Sequence, residues 1–478
     1  MFEEIITRFQ QRKIRLQIDP LLRNQIVARY RNSPIELSFS LFDFAYAIGT
    51  CRSVAPTKAN KFSLALDFLK ILLQNNANEL RILINDNEST EQKQDISKYA
   101  GEGLSLIIAE RLYNLRRSTI ARIRRRGNES KPDFMGFNPP LKVVWEAKGS
   151  TDVIGQDEIN HAKNQKVNEP ADIAFASLAA LKSESITEVL VEDPPTLPLE
   201  EDVLKQQLSR VMHYVNIFNF IGQTELSRYF SLLRKRLERD RRFPEYNEKE
   251  RLFEKIRDKS IRLAIKEWNY LGNIERIGDS AFLYIGFDER LLSVQGFLNF
   301  MDYDEDFTFK QEKNTFAVTR DGICYGYISD LTELRNLGFM REIDVQKIPY
   351  YRDNLSIRDL DYMLHFQLVE HIKYFFTREG FEVRKEVLED NKRYDLIAIK
   401  EGKKYIVEIK KDVIIKSFEH IKNYQNADAA LLITTMNISD EDIRYARGLN
   451  IIIIDRRYLK AVIRNQASIS DLLRKPMT

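Results

Sequence analysis

Cysteine and histidine are scarce in this chain. Its two cysteines, Cys51 and Cys324, lie far apart and match no zinc or redox spacing, which fits a reducing compartment. With only five histidines in 478 residues, a structural zinc site is not expected. No apolar run approaches the length of a membrane span, and the opening segment MFEEIITRFQQRKIR is charged, with no signal-peptide core. The expectation is therefore a cytoplasmic protein without membrane contact. No Gly-rich loop ends in Gly-Lys-Ser/Thr and no methyltransferase motif is evident, so neither activity is indicated. An excess of one charge is missing too: 74 basic and 71 acidic residues give a net charge of +3, so any polyanion site has to come from local clustering.

One such cluster is RLYNLRRSTIARIRRR, residues 111–126, read as part of a basic helix. It leads directly into Asp133, so Arg117, Arg122, Arg124, Arg125 and Arg126 are candidates for lining a phosphate backbone; a merely solvated helix is the alternative.

A hydrophobic content of 43% is enough for ordinary buried cores, and the length allows two to four domains. Composition and periodicity suggest an α/β N-terminal domain of undisclosed role over 1–95, which could recruit a protein partner, and a first mixed core over 96–202 that closes in the linker VEDPPTLPLEED. A helical region follows over 203–275 and a β-rich region over 276–348. The last domain, 349–478, opens with the amphipathic stretch LDYMLHFQLVEHIKYFFTREG, read as a helix ending at Gly380. After it the order reads strand, strand, strand, helix, strand, helix, strand, a mixed sheet flanked by helices.

Within that domain, YIVEIKK places Glu408 and Lys410 on one face of an apolar strand and Val407 and Ile409 on the other. The segment RYDLIAIKEGKKYIVEIKK reads as a hairpin centred on Glu401-Gly402, and counting outward sets Asp395 opposite Glu408. Two carboxylates beside one lysine make a hard, oxygen-rich site for Mg²⁺. Such an ion would polarise a phosphodiester and acidify an attacking water, while the lysine could orient that water or stabilise the developing charge. A surface ion pair on a half-exposed strand is the bland alternative.

These residues resemble the PD-(D/E)XK nuclease superfamily, whose signature is an acid, a hairpin, then acid-x-lysine. More narrowly, residues 360–463 look like the Mrr-type restriction endonuclease domain, through GFEV, the YDLIAI…YIVEIKK hairpin and ADAALLITTMNISDEDIRYARGLNIIIID. The resemblance implies a mixed-sheet nuclease fold, Mg²⁺ with Mn²⁺ as a substitute, and double-stranded DNA as substrate. It also implies that Gln425, on the helix after the third strand, completes the site, and that Glu370 on the leading helix contributes a further acid. The chain departs from the family at Leu396, where glycine is usual, and in having EIK rather than a glutamine-containing triplet.

The pattern occurs a second time. PDFMGFNPPLKVVWEAKG places Asp133, Glu146 and Lys148 at the same spacing, with twelve residues between the acids in both copies. Counting from Pro139-Pro140 pairs Asp133 with Glu146 across the hairpin, although a Pro-Pro turn cannot be the tight two-residue type with standard hydrogen bonding. Downstream, His161-x-Lys163-Asn164 and His420-x-Lys422-Asn423 repeat as well. Gln165 then stands as the counterpart of Gln425, and Glu110, with Glu102 as rival, as the counterpart of Glu370. The expected fold is thus a multidomain α/β (α+β) chain with two restriction-endonuclease-like mixed-sheet cores joined by a helical and β-rich middle. The expected activity is that of a Mg²⁺-dependent DNA endonuclease of restriction or defence type. A nucleic-acid-binding or regulatory protein with one or both folds inert is the rival from another class, and an RNase the rival among enzymes.

Overall fold

The computed structural model describes residues 11–31, 35–51, 61–62, 65, 78–82, 90–123, 131–151, 154–165, 169–181, 185–193, 203–241, 250–265, 267–278, 281–303, 306–311, 313–329, 348–363, 365–389, 392–411 and 427–474. The fold is mixed α/β. Contacts divide the chain into two compact units, Met1–Tyr351 and Arg352–Thr478.

Among the described residues the first unit holds two sheets. One is built from β1 (Gln11–Ile18), β2 (Ile35–Ser40), β3 (Ala121–Arg122), β4 (Phe134–Asn138), β5 (Leu141–Ser150), β6 (Ile173–Ala180) and β7 (Glu188–Glu192), in the order β2-β1-β7-β6-β5-β4-β3. Strict alternation in QRKIRLQI buries Ile14, Leu16 and Ile18 and leaves the polar residues between them facing out, except the buried Arg12. By contrast, every residue of β6, IAFASLAA, is buried, as a central strand covered on both faces requires. Thus β1 and β2, from the stretch read as a separate first domain, are hydrogen-bonded into the sheet of the expected first core: β1 runs parallel to β7, pairing Arg15 with Glu188.

Among the described residues this unit also carries helices α1 (Leu41–Cys51), α2 (Thr90–Tyr113), α3 (Gln156–Gln165), α4 (Val203–Phe220), α5 (Thr224–Asp240), α6 (Glu250–Lys259) and α7 (Val294–Asn299). Helix α2 presses on β5 where both carry glycine. A Cβ on Gly101 would come 2.6 Å from the Gly149 amide nitrogen, and one on Gly149 would meet the Ser97 carbonyl oxygen at 1.9 Å. Trp145, fully buried on β5, stacks between Phe134 and Phe175 with ring centroids 5.6 and 5.7 Å away. The basic run does not form one helix: α2 ends at Tyr113, Arg117–Thr119 is a 3-10 turn, and Ala121–Arg122 is a short strand.

The second sheet of this unit comprises β8 (Ile261–Ile265), β9 (Trp268–Arg276), β10 (Phe282–Asp288), β11 (Phe307–Gln311), β12 (Asn314–Val318) and β13 (Ile323–Ile328), antiparallel throughout in the order β11-β12-β13-β10-β9-β8. Its turn at Asp321-Gly322 has glycine at φ +85°, and the buried Asp321 carboxylate accepts from Tyr46 of α1 at 2.5 Å and pairs with His213 of α4 at 2.7 Å.

The second unit carries β14 (Glu382–Glu389), β15 (Lys392–Lys400), β16 (Lys403–Lys410), β17 (Ala429–Thr434) and β18 (Ile451–Ile454) in that order, with two antiparallel pairs followed by two parallel ones. The β15–β16 turn is the expected two-residue one: Glu401 and Gly402 sit at φ +53° and +75° between paired Lys400 and Lys403. The opening stretch departs from expectation. It forms two helices, α8 (Ile357–Tyr362) and α9 (His365–Arg378), because buried Met363 is extended at φ −65°, ψ 146°. The unit ends with α10 (Asp440–Gly448), α11 (Arg456–Ile463) and α12 (Ile469–Arg474).

Candidate active site

In the second unit β15 and β16 pair Leu396 with Val407, so Asp395 falls opposite Glu408, as the hairpin count requires. Asp395 is fixed at both oxygens. Its Oδ2 accepts from the Ile409 backbone N–H at 2.8 Å, and its Oδ1 pairs with His365 Nε2 at 2.9 Å. Glu408 is only 4% exposed, and Lys410 Nζ lies 3.5 Å from its Oε2.

The two carboxyls respond in opposite directions. Burial, then the negative charge of Asp395, pushes Glu408 up to about 8, with Lys410 offsetting part of the rise. Burial works against the charged form of Asp395 as well, but the hydrogen bond and charge of His365, followed by Lys410 and the Ile409 N–H, outweigh it and hold that carboxyl below its ordinary value. The proton therefore favours Glu408 and the negative charge Asp395.

The first unit repeats the construction. Phe134 pairs with Trp145, which sets Asp133 opposite Glu146. Asp133 Oδ2 accepts from the Ala147 N–H at 3.2 Å, the amide between the second acid and the lysine, as Ile409 is in the other copy. Lys148 Nζ lies 2.8 Å from Oε1 of Glu146, whose side chain is fully buried. The likeness extends beyond the motif. Lys142 N donates to Asp172 and Lys404 N donates to Asp428, each at 2.7 Å and each from four residues before the second acid. The next strand is then parallel in the same register, Glu146 against Ala176 and Glu408 against Leu432, four residues beyond those aspartates. The copies part at the fifth strand, where β7 is antiparallel to β6 but β18 is parallel to β17.

What faces the first acid differs as well. In the first unit it is Arg122, 3.8 Å from Asp133 Oδ1 and 2.6 Å from Glu102. Burial opposes the charge on Arg122, but Glu102 and then Asp133 more than offset this and raise its pKa. These groups line a cavity of about 740 Å³ with Lys148.

Other expected residues are placed as follows. Glu110 is buried and pairs with Arg117 and Arg320, each at 2.8 Å, so of the two rivals on α2 it is Glu102 that reaches the acid site. Arg117 is correspondingly removed from the surface: 8% exposed, it also pairs with Asp43 and Asp306, and a phosphate backbone has no face of it to meet. Arg122 serves Glu102 and Asp133 from inside the cavity wall. Glu370 is ion-paired with Lys385 of β14 at 2.9 Å. Gln165 is the last residue of α3. Gln425, His420, Arg124, Arg125 and Arg126 lie outside the described residues.

His365 and Arg122 are the groups that sequence reasoning missed as partners of the first acids. Only the general scarcity of histidine marked the former, and the latter was read as a phosphate contact. Among the described residues, no group of three or more His, Cys, Asp or Glu side chains forms a ready metal cage. Each site offers two carboxylates and would need further ligands from water or substrate. Among the described residues no helix is long and apolar enough to cross a membrane.

Residues 360–463 match the restriction endonuclease family Mrr_cat. A restriction-type nuclease domain therefore stands at this end of the chain, with Asp395, Glu408 and Lys410 inside the matched segment. No curated protein matches the chain. The crystal structure of AF1548, a protein of unknown function, is similar at 18% identity over 23% of this chain and 64% of its own, with a TM-score of 0.19.

Proposed function

We propose that the chain is a Mg²⁺-dependent DNA endonuclease of restriction or defence type, with Asp395, Glu408 and Lys410 as its principal centre and Asp133, Glu146 and Lys148 as a second. The observation that carries this reading is the carboxylate pair of the matched domain, buried at Glu408 and half-buried at Asp395. One carboxyl is driven up to about 8 by burial and by its neighbour's charge, the condition that a hard divalent cation relieves.

Asp395 and Glu408 would hold the metal, Mg²⁺ or Mn²⁺. When bound, such an ion supplies Lewis-acid activation of the phosphodiester and a more acidic water. The chain does the rest through position. The Ile409 N–H and His365 leave the Asp395 carboxylate one orientation. Lys410, 29% exposed beside Glu408, would orient an attacking water or stabilise charge growing on a phosphoryl oxygen. The repeat of register, amide bond and lysine around Asp133 and Glu146 supports a second centre, so that one chain would cut both strands of a duplex.

Supercoiled plasmid incubated with Mg²⁺ or with EDTA tests the reading. Linear product from the wild type, nicked circles from Glu146→Ala and no product in EDTA are expected. Cleavage that survives Glu408→Ala unchanged would remove the C-terminal pair from the mechanism. A second reading, in which the first copy binds nucleic acid without cutting it, is favoured by Arg122, a built-in cation against Asp133 where the other copy has an imidazole. Plasmid cleavage unaffected by Glu146→Ala would support it.

A further inference from the structure

The acid site of the first unit sits between two cavities. The larger, of about 740 Å³, has three walls: α2 with Lys98 and Glu102, the strand side with Arg122 and Ile123, and the α4–α5 pair with Met212, Val215, Asn216 and Arg234. The smaller, of about 360 Å³, lies against α3 and is lined by Ile154, Leu178 and His161 together with Asp157 and Glu158. Lys148 and Gly149 belong to both linings, so the lysine of the motif stands at their junction.

The linings differ as the parts of a nucleotide differ. A base needs an apolar slot with room of a few hundred Å³ and a few polar groups for its edge, whereas a phosphate needs cations. Ile123, Met212 and Val215 supply the slot in the larger cavity, the Asn216 amide can read a base edge, and the exposed Lys98 supplies charge. In the smaller cavity Asp157 and Glu158 disfavour phosphate, while Ile154 and Leu178 offer an apolar wall with the His161 ring beside it. A paired duplex keeps its bases stacked inside and cannot insert them into such recesses without unpairing.

We propose that the Asp133–Glu146–Lys148 site takes unpaired nucleotides, from single-stranded or frayed nucleic acid, seating one base in each cavity on either side of a phosphate at Lys148. The proposal rests on the reading of this copy as a nucleic-acid site and names its substrate class. The exposed lysine head group meets the phosphate, and the α4–α5 wall excludes a continuous duplex from the larger cavity, so a plasmid strand reaches this centre only where a nick made at the C-terminal centre has let the duplex fray.

The full chain carrying Glu408→Ala, which silences the other centre, serves for the test. Fluorescence anisotropy with Ca²⁺ as the cation would compare a short labelled single strand with a duplex closed by hairpins at both ends. The single strand should bind about tenfold or more tightly. Asn216→Trp, which fills the larger cavity, and the surface change Lys98→Glu should each weaken that binding about tenfold while circular dichroism stays unchanged. Equal affinity for both ligands, or binding insensitive to both substitutions, overturns the proposal. Cleavage in Mg²⁺ is the separate arm. If this variant cuts neither ligand but keeps the substitution-sensitive preference, the site binds strands without hydrolysing them, so the nuclease reading of this copy fails and the proposal stands. If it cuts the closed duplex as fast as the single strand, the nuclease reading stands and the proposal falls.

Discussion

Both acid–lysine constellations are held by the same backbone device, and they differ in the company that other elements bring to it. In each, a hairpin register sets the acids face to face, and the amide between the second acid and the lysine fixes the first. Beyond that, Asp395 meets an imidazole from α9, whereas Asp133 meets a guanidinium from β3 already bound to Glu102. Register is local, and it reproduces positions; electrostatics is assembled from distant segments, and it need not follow. The C-terminal pair thus has an imidazole where the N-terminal pair has a guanidinium, and the N-terminal pair carries more of its countercharge within the fold.

The largest expected effect falls on that asymmetry. Glu408→Ala should lower plasmid cleavage by about 10²–10³-fold, as removing an electrostatic stabiliser at a reacting phosphate does, and Glu146→Ala should cost less overall and leave nicked product. Gel assays at matched enzyme concentration decide this; equal losses from the two variants would erase the distinction.

Glycine substitution should separate the units by stability. Gly149→Ala drives a methyl into the Ser97 carbonyl and should destabilise the first unit by about 3 kcal/mol, whereas Gly402→Ala, at φ +75° with nothing nearby, should cost about 1 kcal/mol in the second. Urea unfolding followed by intrinsic fluorescence gives both values.

A pH dependence should mark the C-terminal pair. Folded Glu408 titrates near 8 against an ordinary 4.5, so the folded state holds the extra proton between those values. The stability it contributes is complete below about 4.5 and is lost as pH rises towards 8, at most at about 1.4 kcal/mol per unit. Metal-free Glu408→Gln should therefore gain on the wild type as pH increases through that window, which thermal melts at several pH values would register. Parallel curves would contradict the upward shift of Glu408.

The smallest effect concerns Arg122. In the Glu408→Ala background, Arg122→Gln should tighten Mn²⁺ binding to the first unit severalfold by removing a competing cation. Calorimetric titration is the check, and weaker binding would mean that the guanidinium orients Asp133 instead of competing for it.

The parts of the fold that were legible in the sequence are those set by local counting. Alternation and the Glu401-Gly402 turn gave one hairpin register, and the centre at Pro139-Pro140 gave the other, because a strand slipped by one residue would turn its acid to the opposite face. The membership of β1 in the first sheet was not legible, since its parallel partner β7 lies some 170 residues away and no turn joins them. The choice between Glu102 and Glu110 was hidden for a similar reason. Both lie on α2, and only the approach of Arg320 and Arg117 shows which of them is occupied elsewhere. The break at Met363, which starts a new helix at His365, looks in the sequence like one continuous amphipathic stretch.

The Asp321 turn has a practical bearing on dissection of the gene. Its carboxylate takes in Tyr46 and His213 while its carbonyl accepts from Tyr214, so residues from three widely separated stretches close over one buried charge. A fragment ending in the acidic, proline-rich segment near 200 would strip Tyr46 of that acceptor and leave Phe42 and Phe62 without the Tyr325 ring they pack against. The first unit is one compact body, so a working deletion series has its natural cut after Tyr351.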